Sequence, residues 1–315
     1  MQYRLLGNSG VNVSAVGLGC NQFGGKVNQE DTTTIVHRAI DLGINFLDTA
    51  DVYSRGRSEE FLGVALKGKW DKVVLATKFK SPMGEGPNDK GASRYHIMAA
   101  VEASLKRLDT DHIDLLQVHS FDPQTPFEET MRALDDLVSQ GKVRYLGASN
   151  YLAWQLSHAN DIAQFRGWTS FISIQPHYHM LERSIERELV PYARFANIGI
   201  LPFFPLAGGF LTGKYQEGQP APEGTRGAVA GGYVSQYFTP ENYSKVRKLT
   251  AWAEERGHTM GELAIAWLLG QPQMASVISG ASKLEQVEAN VKAAEWQLSA
   301  DELAEVRAVL EGKAS

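Results

Sequence analysis

Four side chains suited to acid–base chemistry follow three successive strand-like segments of this 315-residue chain. Asp48 and Tyr53 lie in INFLDTADVY, Lys78 ends KVVLATK, and His119 ends HIDLLQVH. Barrel enzymes that alternate strands and helices take their catalytic groups from several strand ends at one face. A carboxylate, a phenol, an ammonium and an imidazole at one rim could deliver a proton to a carbonyl oxygen as a hydride reaches the carbon.

The chemistry of each side chain predicts its role. A tyrosine has an ordinary pKa of about 10, and a neighbouring ammonium lowers it. We therefore expect Lys78 to lower the pKa of Tyr53 and Asp48 to hold Lys78 as an ion pair. His119 would orient the substrate oxygen. Taken singly, the aspartate could be a helix cap, the lysine a solvated side chain and the histidine a structural one, but their position at consecutive strand ends favours catalysis.

Composition limits the class of protein. The chain is 43% hydrophobic and 21% charged, which is ordinary for a globular protein, and its net charge is −5, which attracts neither nucleic acid nor an anionic membrane. Cys20 is the only cysteine, so an intrachain disulfide is excluded. No apolar run approaches the ~20 residues of a membrane helix. We expect a cytoplasmic protein with no nucleic-acid or membrane partner.

Short β-branched segments alternate with helical patterns along the chain, which indicates parallel strands with helical crossovers. An N-terminal hairpin that turns at Asn8–Gly10 precedes them, and we expect it to close the bottom of a (β/α)₈ barrel that ends in an extra C-terminal helix. A doubly wound open sheet is the alternative. With no linker in the sequence, we predict one domain over residues 1–315. The predicted strands are 15–18, 44–47, 73–76, 113–118, 143–146, 171–174, 198–202 and 275–278, and the predicted helices are 31–42, 58–66, 93–108, 127–140, one after 152, 185–196, 260–269 and one from 283.

Two segments are too long for plain connections. Residues 80–92 follow the strand of Lys78, and residues 215–240 follow the seventh strand. Long loops in compact domains are usually lids or binding loops, or else are disordered. The second contains Tyr233, Tyr237 and Phe238, which could wall a substrate pocket.

A nucleotide cofactor would need a route other than the dinucleotide fingerprint. In GLGCNQFGG, Gly17 and Gly19 fit the pattern, but Gln22 occupies the third glycine position. A better phosphate site is the helix start in ISGASKLEQ, where Ser282 and Glu285 have the spacing of a capping box. An ordinary helix cap is the alternative.

Other polar and aromatic groups end the remaining strands. Ser149, Asn150 and Gln175 suit the carboxamide of a nicotinamide, and FFPLAGGFLTGK offers an aromatic face with glycines. His177 and His179 form an H-x-H pair without a nearby carboxylate at ligand spacing, so we expect no metal site.

Over essentially its full length, the sequence resembles the aldo-keto reductase superfamily, most closely its microbial members and the potassium-channel β-subunits. The resemblance is carried by an ordered set of motifs: NFLDTADVYS, RSEEFLG, TKF, SLKRLDTDHIDLLQVH, GKVRYLGASN, SIQPHYHMLER, PLAGGFLTGKY and VISGASKLEQVEANVKA. It implies a (β/α)₈ barrel that binds NADP(H) at its C-terminal rim and reduces a small-molecule aldehyde or ketone, as a monomer or homo-oligomer. Tyr53 would be the general acid/base, Lys78 and Asp48 its tuning pair, and His119 the orienting group.

The resemblance also implies a set of cofactor contacts. Phe203 falls where relatives stack an aromatic ring on the nicotinamide. Phe204 replaces a serine that touches the pyrophosphate, and Gln286 replaces an arginine on the 2′-phosphate, so NAD(H) is a second candidate cofactor. The full set is Gly19, Cys20, Asn21, Asp48, Ser149, Asn150, Gln175, Phe203, Phe204, Leu206, Gly208, Gly280, Ser282, Lys283, Gln286 and Asn290.

The resemblance leaves a second class of function open. Channel β-subunits retain the same four polar residues, so the chain could be a cofactor-binding regulatory subunit of a membrane channel or other partner. The sequence begins at its first hairpin, and we therefore expect the reductase.

Overall fold

The computed structural model describes residues 1–228 and 232–313, which form ten strands and ten α-helices. The strands are β1 (Tyr3–Leu5), β2 (Asn12–Ser14), β3 (Val16–Gly19), β4 (Phe46–Asp48), β5 (Val74–Phe79), β6 (Ile113–Val118), β7 (Val143–Ser149), β8 (Phe171–Gln175), β9 (Gly199–Ile200) and β10 (Val277–Gly280). The helices are α1 (Gln29–Asp41), α2 (Arg57–Ala65), α3 (Arg94–Leu108), α4 (Phe127–Ser139), α5 (Ala153–Arg166), α6 (Leu189–Phe195), α7 (Pro240–Glu254), α8 (Met260–Leu269), α9 (Leu284–Ala293) and α10 (Ala300–Leu310).

Strands β3 to β10 form a parallel sheet in the order β10-β3-β4-β5-β6-β7-β8-β9. Its two end strands meet through isolated bridges, Ile200 to Met274 and Phe203 to Ile278, and the N–H of Ile278 donates to the carbonyl of Pro202 at 3.0 Å. The predicted (β/α)₈ barrel is confirmed, and the open-sheet alternative is wrong. The seventh strand is shorter than predicted, because regular pairing along this edge is limited to Gly199–Ile200.

The N-terminal hairpin of β1 and β2 closes the bottom of the barrel. Arg4 donates to the carbonyls of Leu269 and Met274, each at 3.0 Å. Leu6 and Val13, both fully buried, pack into the barrel interior in one cluster with strand residues that include Phe46, Leu115 and Leu201. The lower half of the barrel is thus an apolar plug, and polar strand-end residues gather at the opposite rim.

Some predicted helices differ from the observed ones in their bounds, and one observed helix was not predicted. Helix α7 was not predicted, although Thr239 caps its N-terminus by accepting from the N–H of Asn242 at 3.2 Å and Pro240 begins its first turn. Helix α6 begins at Leu189 rather than 185, because Pro191 has no N–H to donate and is tolerated only in the first turn of a helix. Helix α9 begins at Leu284, one residue later than predicted.

Both long loops belong to the functional rim. Within residues 80–92, the N–H of Gly86 donates to Asp89 and that of Ala92 donates to Asp122, each at 2.8 Å. The segment is therefore ordered by side-chain hydrogen bonds. In the second loop, residues 229–231 lie outside the described residues, and the parts around them form short 3₁₀ segments, Arg226–Ala228 and Ser235–Tyr237. No helix in the two described ranges is long and apolar enough to cross a membrane.

Candidate active site

The four predicted acid–base residues meet at the C-terminal rim of the barrel. The ammonium of Lys78 lies between Asp48 and Tyr53: its Nζ is 2.6 Å from Asp48 Oδ2 and 3.4 Å from the Tyr53 hydroxyl. The rings of Tyr53 and His119 are edge to face, with centroids 5.9 Å apart. Lys78 is fully buried and Asp48 is 3% exposed, so the ion pair is shielded from water.

Asp48 is held by neutral donors as well as by the ammonium. Its Oδ1 accepts from Gln117 Nε2 at 3.0 Å and from Gln175 Nε2 at 2.8 Å, while Oδ2 accepts from Lys78. Lys78 also donates to the carbonyl of Thr49 at 2.8 Å. A buried ion pair is stable only when its remaining donors and acceptors are satisfied. This network fixes the position of Nζ beneath Tyr53.

The pKa values of Tyr53 and Lys78 are both raised, but by different effects. Burial raises the pKa of Tyr53, and the ammonium of Lys78 lowers it by less, so the net direction is upward. Lys78 thus lowers this pKa as predicted, but burial outweighs it, and burial depends on tertiary packing that the sequence does not display. Burial also opposes the charge on Lys78, but Asp48 and Tyr53 outweigh it and raise the pKa of Lys78. At neutral pH the site holds a neutral phenol above an ammonium.

His119 is a neutral imidazole at physiological pH. Burial lowers its pKa to about 3, helped by the positive charges of Lys78 and Lys80. Its backbone N–H donates to the carbonyl of Phe79 at 3.0 Å. Its Nδ1 is buried and has no hydrogen-bond partner within the described residues. Because His119 lines the cavity and is neutral, it could hydrogen-bond a substrate oxygen there without adding a charge to the site.

Asp51 is a buried acid that the sequence analysis did not single out. It is fully buried, and neither carboxyl oxygen has a hydrogen-bond partner in the part of the chain that the structure describes. Burial and the nearby charge of Glu59 raise its pKa from 3.8 to about 7. Glu59 itself accepts from Thr77 at 2.5 Å and from Arg107 at 2.7 Å, so its carboxyl group is paired whereas that of Asp51, within the described residues, is not.

Replacing Asp51 by asparagine is expected to remove a pH dependence of stability. Because the folded pKa lies above the unfolded value, the folded state binds the extra proton between the two, and the free energy of unfolding falls as pH rises from about 4 to about 7, by up to about 4 kcal/mol. Denaturant unfolding at about pH 5 and about pH 8 measures this difference, with the exposed Asp41→Asn as control. Equal pH dependence in wild type and Asp51→Asn would contradict it.

A cavity of about 510 Å³ opens beside these residues. It lies over the seam between the end strands of the barrel, where Phe203 and Ile278 pair. The predicted site residues that line it are Gly19, Cys20, Asn21, Asp48, Tyr53, His119, Ser149, Asn150, Gln175, Phe203, Phe204, Leu206, Gly208, Gly280, Ser282 and Gln286. Lys78 lies buried beneath it, whereas the exposed Lys283 and the buried Asn290 are not among its described lining residues.

The polar groups predicted for a carboxamide form one network at the cavity wall. Ser149 Oγ donates to the carbonyl of Gln175 at 2.8 Å, and Asn150 Nδ2 donates to the carbonyl of His119 at 3.0 Å. Asn150 has a φ of 54°, which turns the chain away at the end of β7. Beside them, Phe203 stacks on His177 with ring centroids 5.3 Å apart and an interplanar angle of 12°.

The helix start at the far end of the cavity differs from the predicted capping box. The N-cap of α9 is Lys283, and Gln286 rather than Glu285 reaches back: its Oε1 accepts from the N–H of Ser282 at 2.7 Å and from the Ser282 hydroxyl at 3.2 Å. The correction follows from the later start of the helix. Ser282 and Gln286 therefore face the cavity together.

Three basic side chains at the cavity were not predicted. Lys26, Lys214 and Arg226 line it, and the guanidinium of Arg226 lies over the ring of Phe204, 5.2 Å from the centroid. A lysine in the glycine-rich LTGK segment was a signal for Lys214, but Lys26 and Arg226 lie in loops without a pattern. Against a net charge of −5, this is a local basic site.

The turn after β9 brings backbone close to the same basic side chains. Ala207, Gly208 and Gly209 have φ values of 47°, 66° and 101°. The N–H groups of Ala207 and Gly209 donate to the carbonyls of Phe204 and Leu206, at 2.8 and 2.7 Å, so the turn is closed by its own hydrogen bonds. A Cβ on Gly208 would lie 2.5 Å from Val234 Cγ2, so the position requires glycine.

The H-x-H pair is part of an aromatic cluster. His179 Nε2 lies 3.1 Å from the hydroxyl of Tyr237 and 3.1 Å from His177 Nε2. Tyr233 also reaches His177, at 3.0 Å from Nδ1. Within the two described ranges, no group of three or more His, Cys, Asp or Glu side chains is arranged to hold a metal ion.

Comparison with known proteins agrees with this geometry. The family model described as "Aldo/keto reductase family" matches residues 15–311. The chain belongs to the aldo/keto reductase family. This aldo/keto reductase is similar to the probable voltage-gated potassium channel subunit beta of Arabidopsis thaliana, with 38% identity over 93% of this chain and 91% of that protein.

Two further relatives are named for redox activity. The versiconal hemiacetal acetate reductase of Aspergillus parasiticus is 34% identical over 96% of this chain and 95% of that protein. An uncharacterized oxidoreductase of Bacillus subtilis, YrpG, is 36% identical over 95% of this chain and 92% of that protein. Family membership and reductase-named relatives support an oxidoreductase.

Proposed function

We propose that this aldo/keto reductase converts an aldehyde or ketone to an alcohol with NADP(H), with Tyr53 as the proton donor. The observation that carries the proposal is the placement of a buried ammonium, Lys78, 2.6 Å from Asp48 and 3.4 Å from the Tyr53 hydroxyl, at the wall of a cavity. A bound nicotinamide would supply the hydride. The acid–base steps fall to the side chains.

Tyr53 would give its hydroxyl proton to the carbonyl oxygen of the substrate. Because its pKa is raised by burial, Tyr53 holds that proton at neutral pH until the oxygen gains negative charge. Lys78 then stabilises the phenolate that remains, and Asp48 keeps the ammonium in place. His119, which is neutral and lines the cavity, would hydrogen-bond the same oxygen and orient it. Proton transfer of this kind contributes about 10²–10⁴-fold.

The cavity fits a dinucleotide in its shape and its charge. It extends from Tyr53 and His119 at one end to Ser282 and Gln286 at the other. Lys214 and Arg226 would hold the diphosphate, and Lys26 adds a further cation. Ser149, Asn150 and Gln175 would hold the carboxamide, and Phe203 would pack on the nicotinamide ring. Gly19, Cys20, Asn21, Leu206 and Gly280 would form the remaining walls.

The experiment that tests this proposal is a screen for NADPH oxidation with small aldehydes, ketones and sugars. We expect reduction of at least one carbonyl class by the purified protein, with the matching alcohol as product. Failure to oxidise NADPH with every carbonyl class, in protein shown to bind NADPH, would reject the reductase.

Cofactor preference is expected to favour NADPH over NADH by about tenfold. A helix N-terminus favours an anion by about 0.3–1 kcal/mol, and a charge-assisted contact from the exposed Lys283 would bring the total to about 1.4 kcal/mol, which is tenfold in affinity. Ser282 and Gln286 offer neutral contacts to the 2′-phosphate, and Lys283 lies beside them at the helix start. Lys283→Ala should weaken NADPH more than NADH, measured as dissociation constants from quenching of intrinsic fluorescence, with the exposed Lys67→Ala as control. Equal losses for both cofactors would mean that this helix start does not read the 2′-phosphate.

The name of the Arabidopsis relative favours a second candidate function, a cofactor-binding regulatory subunit. The same cavity would then report the redox state of the cofactor to a partner. Co-purification of the protein with a membrane channel, together with negligible carbonyl reduction, would select this candidate over the enzyme.

A further inference from the structure

Lys80 has a backbone conformation that a lysine rarely adopts. Its φ is 117°, in a region that non-glycine residues rarely adopt. It follows Phe79, the last residue of β5, and its carbonyl accepts from the N–H of Gly91 at 2.9 Å, which joins the two ends of the 80–91 loop. Unfavourable backbone conformations persist only where the surroundings enforce them, and they concentrate at functional sites.

The pairing of β5 with β6 places Lys80 beside His119. Phe79 is in register with Val118, and the N–H of His119 donates to the carbonyl of Phe79 at 3.0 Å. Lys80 and His119 are the residues that follow these two strand ends, and neighbouring strands lie about 4.8 Å apart. Lys80 is half-buried and stands outside the described lining of the cavity, at its acid–base end.

The ammonium of Lys80 differs from that of Lys78 in its partners. Lys78 is paired with Asp48, whereas Lys80 has neither an ion pair nor a side-chain hydrogen bond within residues 1–228 and 232–313. The charge of Lys80 also acts on the carboxylate of Asp122. Burial raises the pKa of Asp122, but hydrogen bonds outweigh burial and lower it. Asp122 already accepts from the N–H of Ala92 at 2.8 Å, the Thr125 hydroxyl at 2.7 Å and the N–H of Gln124 at 3.1 Å.

We propose that Lys80 selects carbonyl substrates that carry a carboxylate, by pairing with that group while the carbonyl oxygen lies at Tyr53 and His119. This inference rests on the proposed reductase and names its substrate class. A substrate carboxylate would give the ammonium of Lys80 a partner next to His119, and a neutral substrate would not.

The test compares 4-carboxybenzaldehyde with methyl 4-formylbenzoate, which have the same reacting aldehyde and differ in one negative charge. In Lys80→Met we expect KM for the acid to rise at least tenfold, with kcat nearly unchanged and the ester affected less than about twofold, since a charge-assisted contact contributes to binding throughout the reaction. Lys80→Arg should retain the preference for the acid. Lys90→Met, which removes an exposed lysine from the same loop, is the matched control.

Lys80→Gly separates the charge from the backbone strain. Glycine adopts a φ of 117° without cost, so this variant should be at least as stable as wild type and should still lose the preference for the acid. Equal changes for acid and ester in both variants would overturn the inference, with carbonyl reduction itself intact.

A binding measurement separates this inference from the proposed function. Calorimetric titration of the NADPH-loaded protein with 4-(hydroxymethyl)benzoate and with its methyl ester needs no turnover. We expect the anion to bind at least tenfold more tightly than the ester, and Lys80→Met to abolish the difference. If neither aldehyde is reduced but this difference is found, the reductase proposal fails and the anion site stands. Equal binding of the two alcohols would overturn the anion site.

Discussion

Tyr53→Phe is expected to lower kcat for carbonyl reduction by about 10²–10⁴-fold and to leave the dissociation constant of the cofactor within about twofold of wild type. The substitution removes one hydroxyl, which carries the proton that the substrate oxygen must receive. It keeps the ring that packs edge to face on His119. The barrel and the cavity should therefore be unchanged.

Single-turnover stopped flow with NADPH and the best substrate of the screen measures this effect without interference from product release. Tyr95→Phe is a matched control, because Tyr95 is 72% exposed and lies on helix α3. Reduction at the wild-type rate in Tyr53→Phe would reject Tyr53 as the donor. A parallel loss of cofactor affinity would instead mean that the phenylalanine disturbs the cavity.

Lys78→Met is expected to lower both activity and stability. Asp48 would keep the amides of Gln117 and Gln175 but lose its cation, and an uncompensated buried charge costs about 3–5 kcal/mol. Removal of the ammonium also removes the effect that lowers the pKa of Tyr53, so that pKa should rise further and the phenolate should form less readily.

The double variant Lys78→Met with Asp48→Asn separates the two effects. It removes both charges, so most of the lost free energy of unfolding should return in denaturant titrations, while kcat should stay low because Tyr53 still lacks its ammonium. A single Lys78→Met variant with the rate and pH–rate profile of wild type would show that Lys78 has no part in proton transfer.

The fold and the position of the acid–base residues could be predicted because both depend on local patterns. β-Branched runs that alternate with helical patterns specify parallel strands, and parallel strands bring their carboxyl ends to one rim. Asp48, Tyr53, Lys78 and His119 all lie near such ends, so their meeting follows from the chain order alone.

What the sequence left undetermined depends on packing between distant segments. The rise in the pKa of Tyr53 comes first from burial, and the rise in the pKa of Asp51 comes from burial next to Glu59. Arg226 reaches the cavity from a loop whose path no local pattern specifies. The one-residue error at α9 has a local cause: S-x-x-E at Ser282 matched a capping box, but Gln286 supplied the contact.

The seam of the barrel has a consequence for how the protein opens. Strands β9 and β10 meet through isolated bridges, whereas β5 pairs with β6 over four residues and β6 with β7 over five, so the seam is expected to separate before that side of the sheet in local unfolding. The cavity draws its walls from both sides of that seam, Phe203 on one and Ile278 on the other. A ligand held there binds only the closed sheet, and its binding free energy adds to the free energy of opening. The supply of the proposed cofactor would thus change how fast proteases degrade the protein as well as how fast it reduces a substrate.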